Sequence, residues 1–444
     1  MVLALTAAGA VSRTHLDWKG STQMKAHAIR IFGIINFCLV LAVSSFTPIT
    51  HVRAQCPELT SGLQGPLGIT QSSKGNLFVS ETGTANRDGR VLIVDRNGNV
   101  LPFLSGLPSA INDVGDPSGP AGLFLRGDTL YLAIGIGDTV RNGPTPGTTI
   151  ANPAGPSSSI FSSVLAIRFG EHFSEKKTAG FVLSPENEQK LADGERVRLS
   201  NGGGDRITIW LVANFPDFVS EPLPNLPTNG RGSNPFDLTF VGDRNKHNDD
   251  DRDHHDEHNR DRCDRDFLYV TDGGRNLVWK VDPEARAFSI LAVFPLVPNP
   301  LFGIPMLPGG PFVEAVPTGI AHSDDRLLVT LFRGVPFPPG ASVVQGVDLL
   351  TGNNSPFISG LKTAIDILPL RKRGDTEYLV LQHASAGPFF GSPGLVLLFA
   401  TPAGPPSVVA NCLTRPTSMA FVAKRDTLYV TQLTGSIVAI PFQP

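Results

Sequence analysis

One short pattern recurs six times along this 444-residue chain, and it restricts the fold more than any other feature. Each copy has a turn marked by Pro or Gly, a strand of small and apolar residues, and a tight turn. A second strand then centres on an apolar–aromatic–apolar or all-apolar triplet. The first strands open at Gly65-Pro66-Leu67, Gly119-Pro120-Ala121, Asn234-Pro235-Phe236, Val316-Pro317-Thr318, Thr363-Ala364-Ile365 and Arg415-Pro416-Thr417. The second strands carry Leu77-Phe78-Val79, Leu130-Tyr131-Leu132, Leu268-Tyr269-Val270, Leu327-Leu328-Val329, Tyr378-Leu379-Val380 and Leu428-Tyr429-Val430. Third and fourth strands follow in most copies, and most copies start about 50 residues apart, which is the spacing of propeller blades. The last copy stops after its third strand, at Phe442, while Cys56–Leu63 matches the fourth-strand pattern ahead of the first copy. The chain is therefore predicted to be all-β, a six-bladed β-propeller in which the N-terminal segment supplies the outer strand of blade six. Closure of that kind removes an open sheet edge. A β-sandwich would explain neither the sixfold recurrence nor the leftover strand. With 46 Gly, 38 Pro and only 17% charged residues, the composition suits short strands and tight turns.

The first 54 residues read as an export leader. Lys25, His27 and Arg30 precede an apolar run from Ile31 to Phe46 that falls short of the roughly 20 residues a membrane-spanning helix needs. Val52-Arg53-Ala54 offers small residues at the −3 and −1 positions of a cleavage site before Gln55, and Met24 stands as an alternative start. The propeller is placed at 55–444, exported to the periplasm or the exterior, with no membrane span in the mature chain. Its formal charge would be about −7, which argues against a nucleic-acid partner. An oxidising compartment permits a disulfide. Cys56 and Cys412 both fall on outer strands and are the candidate pair.

If strands A to D of a blade alternate in direction, the B–C and D–A connections share one face of the disc and the A–B and C–D connections share the other. Two insertions, at about 170–205 and 243–266, emerge on the A–B/C–D face, the first with a short helix around Ser184–Ala192. The second holds ten carboxylates among six Lys or Arg, with His247, His254, His255 and His258. These residue types suit zinc or nickel. The charges are interleaved, however, without an apolar frame, so the run is read as a solvated hairpin extension with adventitious metal binding at most.

The opposite face carries long loops poor in charge and rich in large apolar residues: Phe302, Met306, Phe312, Phe337, Phe389 and Phe390. They suggest an aromatic ligand or partner surface over the channel mouth, or a set of loop side chains packed on one another. Polar groups converge on the same face. Glu81, Asp272, His383 and Gln432 end their B strands, with Asn234 at a D–A turn and Arg275 and Arg333 just beyond. They serve either as a site or as holders of the strand-end turns.

These blades resemble the NHL and SMP-30/gluconolactonase group of six-bladed propellers and, more closely, the ScyD/ScyE family of exported propellers. The stretches that carry the likeness include Gly65–Ile69 with Leu77–Glu81, Ser233–Leu238, Tyr269–Asn276, Ala292–Pro295 and Val316–Ile320. Gluconolactonase resemblance implies a divalent cation held by a Glu, an Asn and the Asp of a Pro-Asp-Gly turn. Here Asn234 matches, but the Glu position reads Gln64 and the turn reads Pro317-Thr318-Gly319. Two uncharged replacements remove most of the compensating charge a dication needs. No Gly-x-Ser-x-Gly elbow, His-Glu-x-x-His motif or phosphate loop is present.

The expectation is a non-catalytic propeller, without a resident cofactor, that binds a small aromatic or apolar molecule or a protein partner through the B–C/D–A face. One alternative is a lactonase-like hydrolase with a channel cation, using Glu81, Asp272, Asn234 and His383. The other is a scaffold that docks a second protein.

Overall fold

The computed structural model describes residues 56–145, 147–176, 179–242, 266–372 and 374–444. Residues 1–54, expected from the sequence to be a leader, and Cys263 and the four histidines of the charged run lie outside the described residues.

Six four-stranded antiparallel blades form the propeller. Blade 1 comprises Pro66–Gln71, Leu77–Glu81, Gly89–Val94 and Val100–Leu107, from inner strand A to outer strand D. Blade 2 comprises Pro120–Arg126, Thr129–Ile134, Ser163–Phe169 and Arg206–Asn214. Blade 3 comprises Pro235–Val241, Phe267–Asp272, Leu277–Asp282 and Ala287–Val293. Blade 4 comprises Pro317–Ser323, Arg326–Leu331, Ser342–Asp348 and Asn354–Leu361. Blade 5 comprises Ala364–Lys372, Asp375–Gln382, Gly394–Phe399 and Ser407–Leu413. Blade 6 takes Pro416–Val422, Thr427–Gln432 and Ser436–Pro441 from the C-terminus, and Glu58–Ser61 closes it by pairing with Ser436–Pro441.

Middle strands are covered on both sides by neighbouring blades, so they are buried continuously rather than alternately. Leu77 through Glu81 are all buried, as are Leu327 through Leu331. Each fully buried Leu, Val or Phe there contributes about 1.5–3 kcal/mol by leaving water.

Ring closure is reinforced twice. Thr417 Oγ1 on blade 6 donates to Pro66 O on blade 1 (2.9 Å). The disulfide Cys56–Cys412 joins the segment entering blade 6 to the outer strand of blade 5.

The insertion after strand C of blade 2 departs from the expectation that it stays on the A–B/C–D face. Phe181–Val182 pairs in parallel with blade 1's strand D, and Val197–Ser200 pairs with blade 2's strand D. The connecting helix Pro185–Ala192, capped by the Ser184 side chain, is thereby carried to the other face. There Glu188 accepts from Arg87 (2.8 Å) and Ser158 (2.7 Å), which belong to the B–C loops of blades 1 and 2. The insertion acts as a strap across the junction between the two blades.

Candidate functional site

The loop preceding each inner strand leaves a backbone N–H outside the sheet ladder, and a buried N–H must find an acceptor. Four blades solve this alike, with a side chain at the end of strand B. Glu81 accepts from Gln64 N (2.9 Å), Asp272 from Asn234 N (2.8 Å), Gln382 from Lys362 N (2.6 Å) and Gln432 from Thr414 N. In three of them the second polar atom is held by strand C or the turn leading into it. Glu81 pairs with Arg90, Asp272 accepts from Trp279 Nε1 (2.9 Å), and Gln432 donates to Ser436 Oγ (2.8 Å). Glu81, Asp272 and Gln432 are thus buried turn-holders. The sequence singled out His383 for blade 5, but the equivalent residue is Gln382, and His383 lies one position past the strand.

His383 is 1% exposed. Its Nδ1 bonds Pro416 O (2.9 Å), which requires the proton on Nδ1, and Nε2 is buried without a partner among the described residues. Burial lowers its pKa to about 4, so the ring stays neutral at physiological pH. Its faces meet Phe332 and Phe390 at centroid distances of 5.7 and 4.9 Å. The ring is thus enclosed by protein rather than presented on the face. Asn234 is also committed, its Oδ1 accepting from Ile136 N (3.1 Å). Arg275 donates its backbone N–H to Asp272 (3.0 Å) and lays its guanidinium over Trp279. Arg333 is buried, with Nε on Ala341 O (2.9 Å) and Nη1 unpartnered among the described residues. Burial pulls its pKa down.

The aromatic loop residues divide into two groups. Phe337 is fully buried rather than on a ligand surface, and it packs on Phe332, Phe389 and Phe390. Phe389 and Phe390 are half-buried in the same cluster. Phe302, Ile304, Met306 and Phe312 instead stand out at 60%, 46%, 101% and 56% exposure. They belong to a tongue in the D–A connection between blades 3 and 4. The stretch from Val293 to Val313 contains no charged residue. Val297–Pro298 pairs with Phe312–Val313, and Asn299 ties the turn through Pro311 O (2.8 Å) and Gly310 O (2.9 Å). Glu314 fixes its base by a two-point contact with Arg231 (2.8 and 2.9 Å) and by accepting from Asn276. Val335 of blade 4, beside Gly309 of the tongue, and residues 112–115 and 141–142 of blades 1 and 2 line an open depression of about 660 Å³, with Arg141 and Asp113 on its wall.

Sequence reasoning missed an acidic pair on the inner strands. Every inner strand bulges after its first residue or two. A bulge re-aims the side chain at that point, and here the residues concerned are Gly68, Gly122, Asp237, Gly319, Asp366 and Ser418. Asp237 accepts from Ile320 N (3.1 Å), and Asp366 accepts from Met419 N (2.8 Å) and Ser418 Oγ (3.1 Å). The glycines make room. A Cβ at Gly122 would lie 2.6 Å from Asp237 Cα, and one at Gly319 2.6 Å from Asp366 Cα. Burial, then the charge of Asp366, pushes Asp237 up to about 8, and burial pushes Asp366 up as well. The signal was available as a break in the third position of the Pro-x-Gly pattern.

The lactonase-type cation does not fit these residues. Thr318 Oγ1 is engaged with Thr330 Oγ1 (2.9 Å), and Gln64 contributes its N–H to Glu81. Among the described residues no three His, Cys, Asp or Glu side chains gather in a metal-binding group. No helix among them is long and apolar enough to cross a membrane.

No family model and no curated protein matches the sequence. Solved structures with a related chain path include the PQQ-bound aldose sugar dehydrogenase of Streptomyces coelicolor, at 12% identity and TM-score 0.42, covering 87% of this chain and 97% of that one. A proposed gluconolactonase has 11% identity and TM-score 0.41, with 87% and 92% covered. A Trichoderma reesei carbohydrate-active enzyme of family AA12 has 14% identity and TM-score 0.39, with 88% and 96% covered.

Proposed function

We propose that this chain is an exported, non-catalytic binding propeller that docks a protein partner on its B–C/D–A face, with the tongue at the centre of the contact. The observation that carries this reading is the division of labour on that face. Glu81, Asp272, Gln432 and Asn234 are committed to holding turns and His383 is enclosed among aromatic rings, while Phe302, Ile304, Met306 and Phe312 are offered to solvent. A convex apolar tongue on a braced base suits a partner's hollow better than it suits a small aromatic molecule. Packing of Phe337, Phe389 and Phe390 on one another argues in the same direction. The Cys56–Cys412 bond and the likeness to the exported ScyD/ScyE propellers support an oxidising location.

The test is photo-cross-linking in the native host, with benzoylphenylalanine placed at Met306 or at Leu350. Leu350 is an equally bare apolar residue, 92% exposed, in the C–D connection on the opposite face. A discrete protein adduct is expected from position 306 alone. Equal adducts from both positions, or none from 306, would refute the docking reading.

A further inference from the structure

Blade 5 breaks the hydrogen-bond scheme that three other blades share. Gln382 Oε1 accepts from Lys362 N as its counterparts do, but the strand C residue opposite it is Leu395. Its Nε2 therefore has no partner among the described residues, where Gln432 finds Ser436 in blade 6. Lys362 is itself anomalous. It is 3% exposed, and Nζ donates only to the carbonyls of Phe337 and Phe389. That leaves one of three ammonium donors unused and the charge without a carboxylate among the described residues. Buried lysines are rarely left unpaired. Three other buried or half-buried charges on this face are matched, Glu81 with Arg90, Glu188 with Arg87 and Arg231 with Glu314, while buried Arg333, like Lys362, pairs with no carboxylate among the described residues. Burial alone, with no acid to offset it, lowers the Lys362 pKa to about 8.

Both residues line a groove of about 600 Å³ at the junction of blades 4 and 5. It runs from Gly340 and Lys362 on the B–C/D–A face to Pro402–Pro406 in the C–D connection on the other face. Phe357, Leu361, Leu397 and Phe399 form its apolar wall, and none of its lining residues is acidic. The spare donors of Lys362 and Gln382 at one end and the apolar side chains of Phe357, Leu361, Leu397 and Phe399 along one wall define a polarity. We infer that this groove is a binding site for an elongated organic carboxylate, with Lys362 and Gln382 taking the carboxylate and the apolar body lying between the blades. The inference goes beyond the docking surface and does not depend on it.

The test uses 6-phenylhexanoate and the matched neutral 6-phenylhexan-1-ol, titrated calorimetrically into the mature protein. A charge-assisted contact makes the acid bind wild type about tenfold or more tightly than the alcohol. Lys362→Met and Gln382→Glu should each bring that ratio close to one. The second variant guards against misfolding, because a carboxylate at that position keeps the acceptor for Lys362 N, as Glu81 does for Gln64 N in blade 1. It also supplies an internal carboxylate that competes for the ammonium. Raising the pH from 7 to 9, across the Lys362 transition, should weaken the acid and leave the alcohol unchanged. Equal affinities in wild type, a ratio that survives both substitutions, or no saturable acid binding at millimolar concentration would overturn the assignment.

Discussion

Replacing Asp237 by asparagine should change how the stability of the propeller depends on pH. Unfolded, this carboxyl ionises near 3.8; folded, it holds its proton up to about 8 because its withdrawal from water and the charge of Asp366 disfavour ionisation. Between those values the native chain carries one proton more than the unfolded chain. Stability is therefore greatest at the acid end of the window and falls as pH rises, by about 1.4 kcal/mol per pH unit for one group. From pH 5 to 7 that amounts to about 2.7 kcal/mol as an upper bound. Sharing of the proton with Asp366 and the partial exposure of Asp237 bring the expectation to about 1–3 kcal/mol.

The amide introduced by Asp237→Asn keeps a carbonyl oxygen to accept from Ile320 N, so the fold is preserved while this contribution is removed. For a chain of this length about 1 kcal/mol moves the melting temperature by about 1 °C. Between pH 5 and 7 the wild type should therefore lose about 1–3 °C more than Asp237→Asn, measured by intrinsic fluorescence in matched buffers. Titrating groups remote from Asp366 act on both proteins and cancel in the difference. Identical pH profiles, or a steeper loss in the variant, would refute the account of the acidic pair.

Two further substitutions probe the architecture. Replacing Cys56 and Cys412 together by serine opens the covalent tie across a sequence separation of 356 and should cost about 2–5 kcal/mol, read as a lower denaturation midpoint that added reductant does not lower further. Gly319→Ala, whose added Cβ would stand 2.6 Å from Asp366 Cα, meets backbone and should cost about 1–3 kcal/mol, against near-neutrality for Gly391→Ala, where nothing lies within 4 Å of the added Cβ.

The blade count and closure were legible because they rest on periodicity: a repeated Pro turn and a repeated apolar triplet survive changes in individual residues. The Ser184 cap was legible for a similar local reason, a side-chain acceptor followed by Pro185. The polar residues of the B–C/D–A face were harder, since a carboxylate at a strand end looks the same whether it awaits a substrate or holds a backbone N–H. Only the partners of Glu81 and Asp272 decide between them. The aromatic loops failed to sort for a related reason. Phe337 and Phe312 both sit in Pro- and Gly-rich segments, yet one fills the space beside Phe390 and the other projects from a tongue, a difference set by three-dimensional neighbours.

The residues that were missed share one property. Asp237, Lys362 and Gln382 are informative as departures from the repeat: an acid where the pattern has glycine, a lysine before an inner strand, and a glutamine facing a leucine. A repeated scaffold solves the same packing and hydrogen-bonding problems in each blade, so a position where one blade leaves its donors unsatisfied is not required by the fold. Blade 5 departs from the scheme at Lys362 and Gln382, and both residues line the groove beside Phe357 and Phe399. Comparing blades within one chain therefore separates what the ring needs from what it can spare for binding.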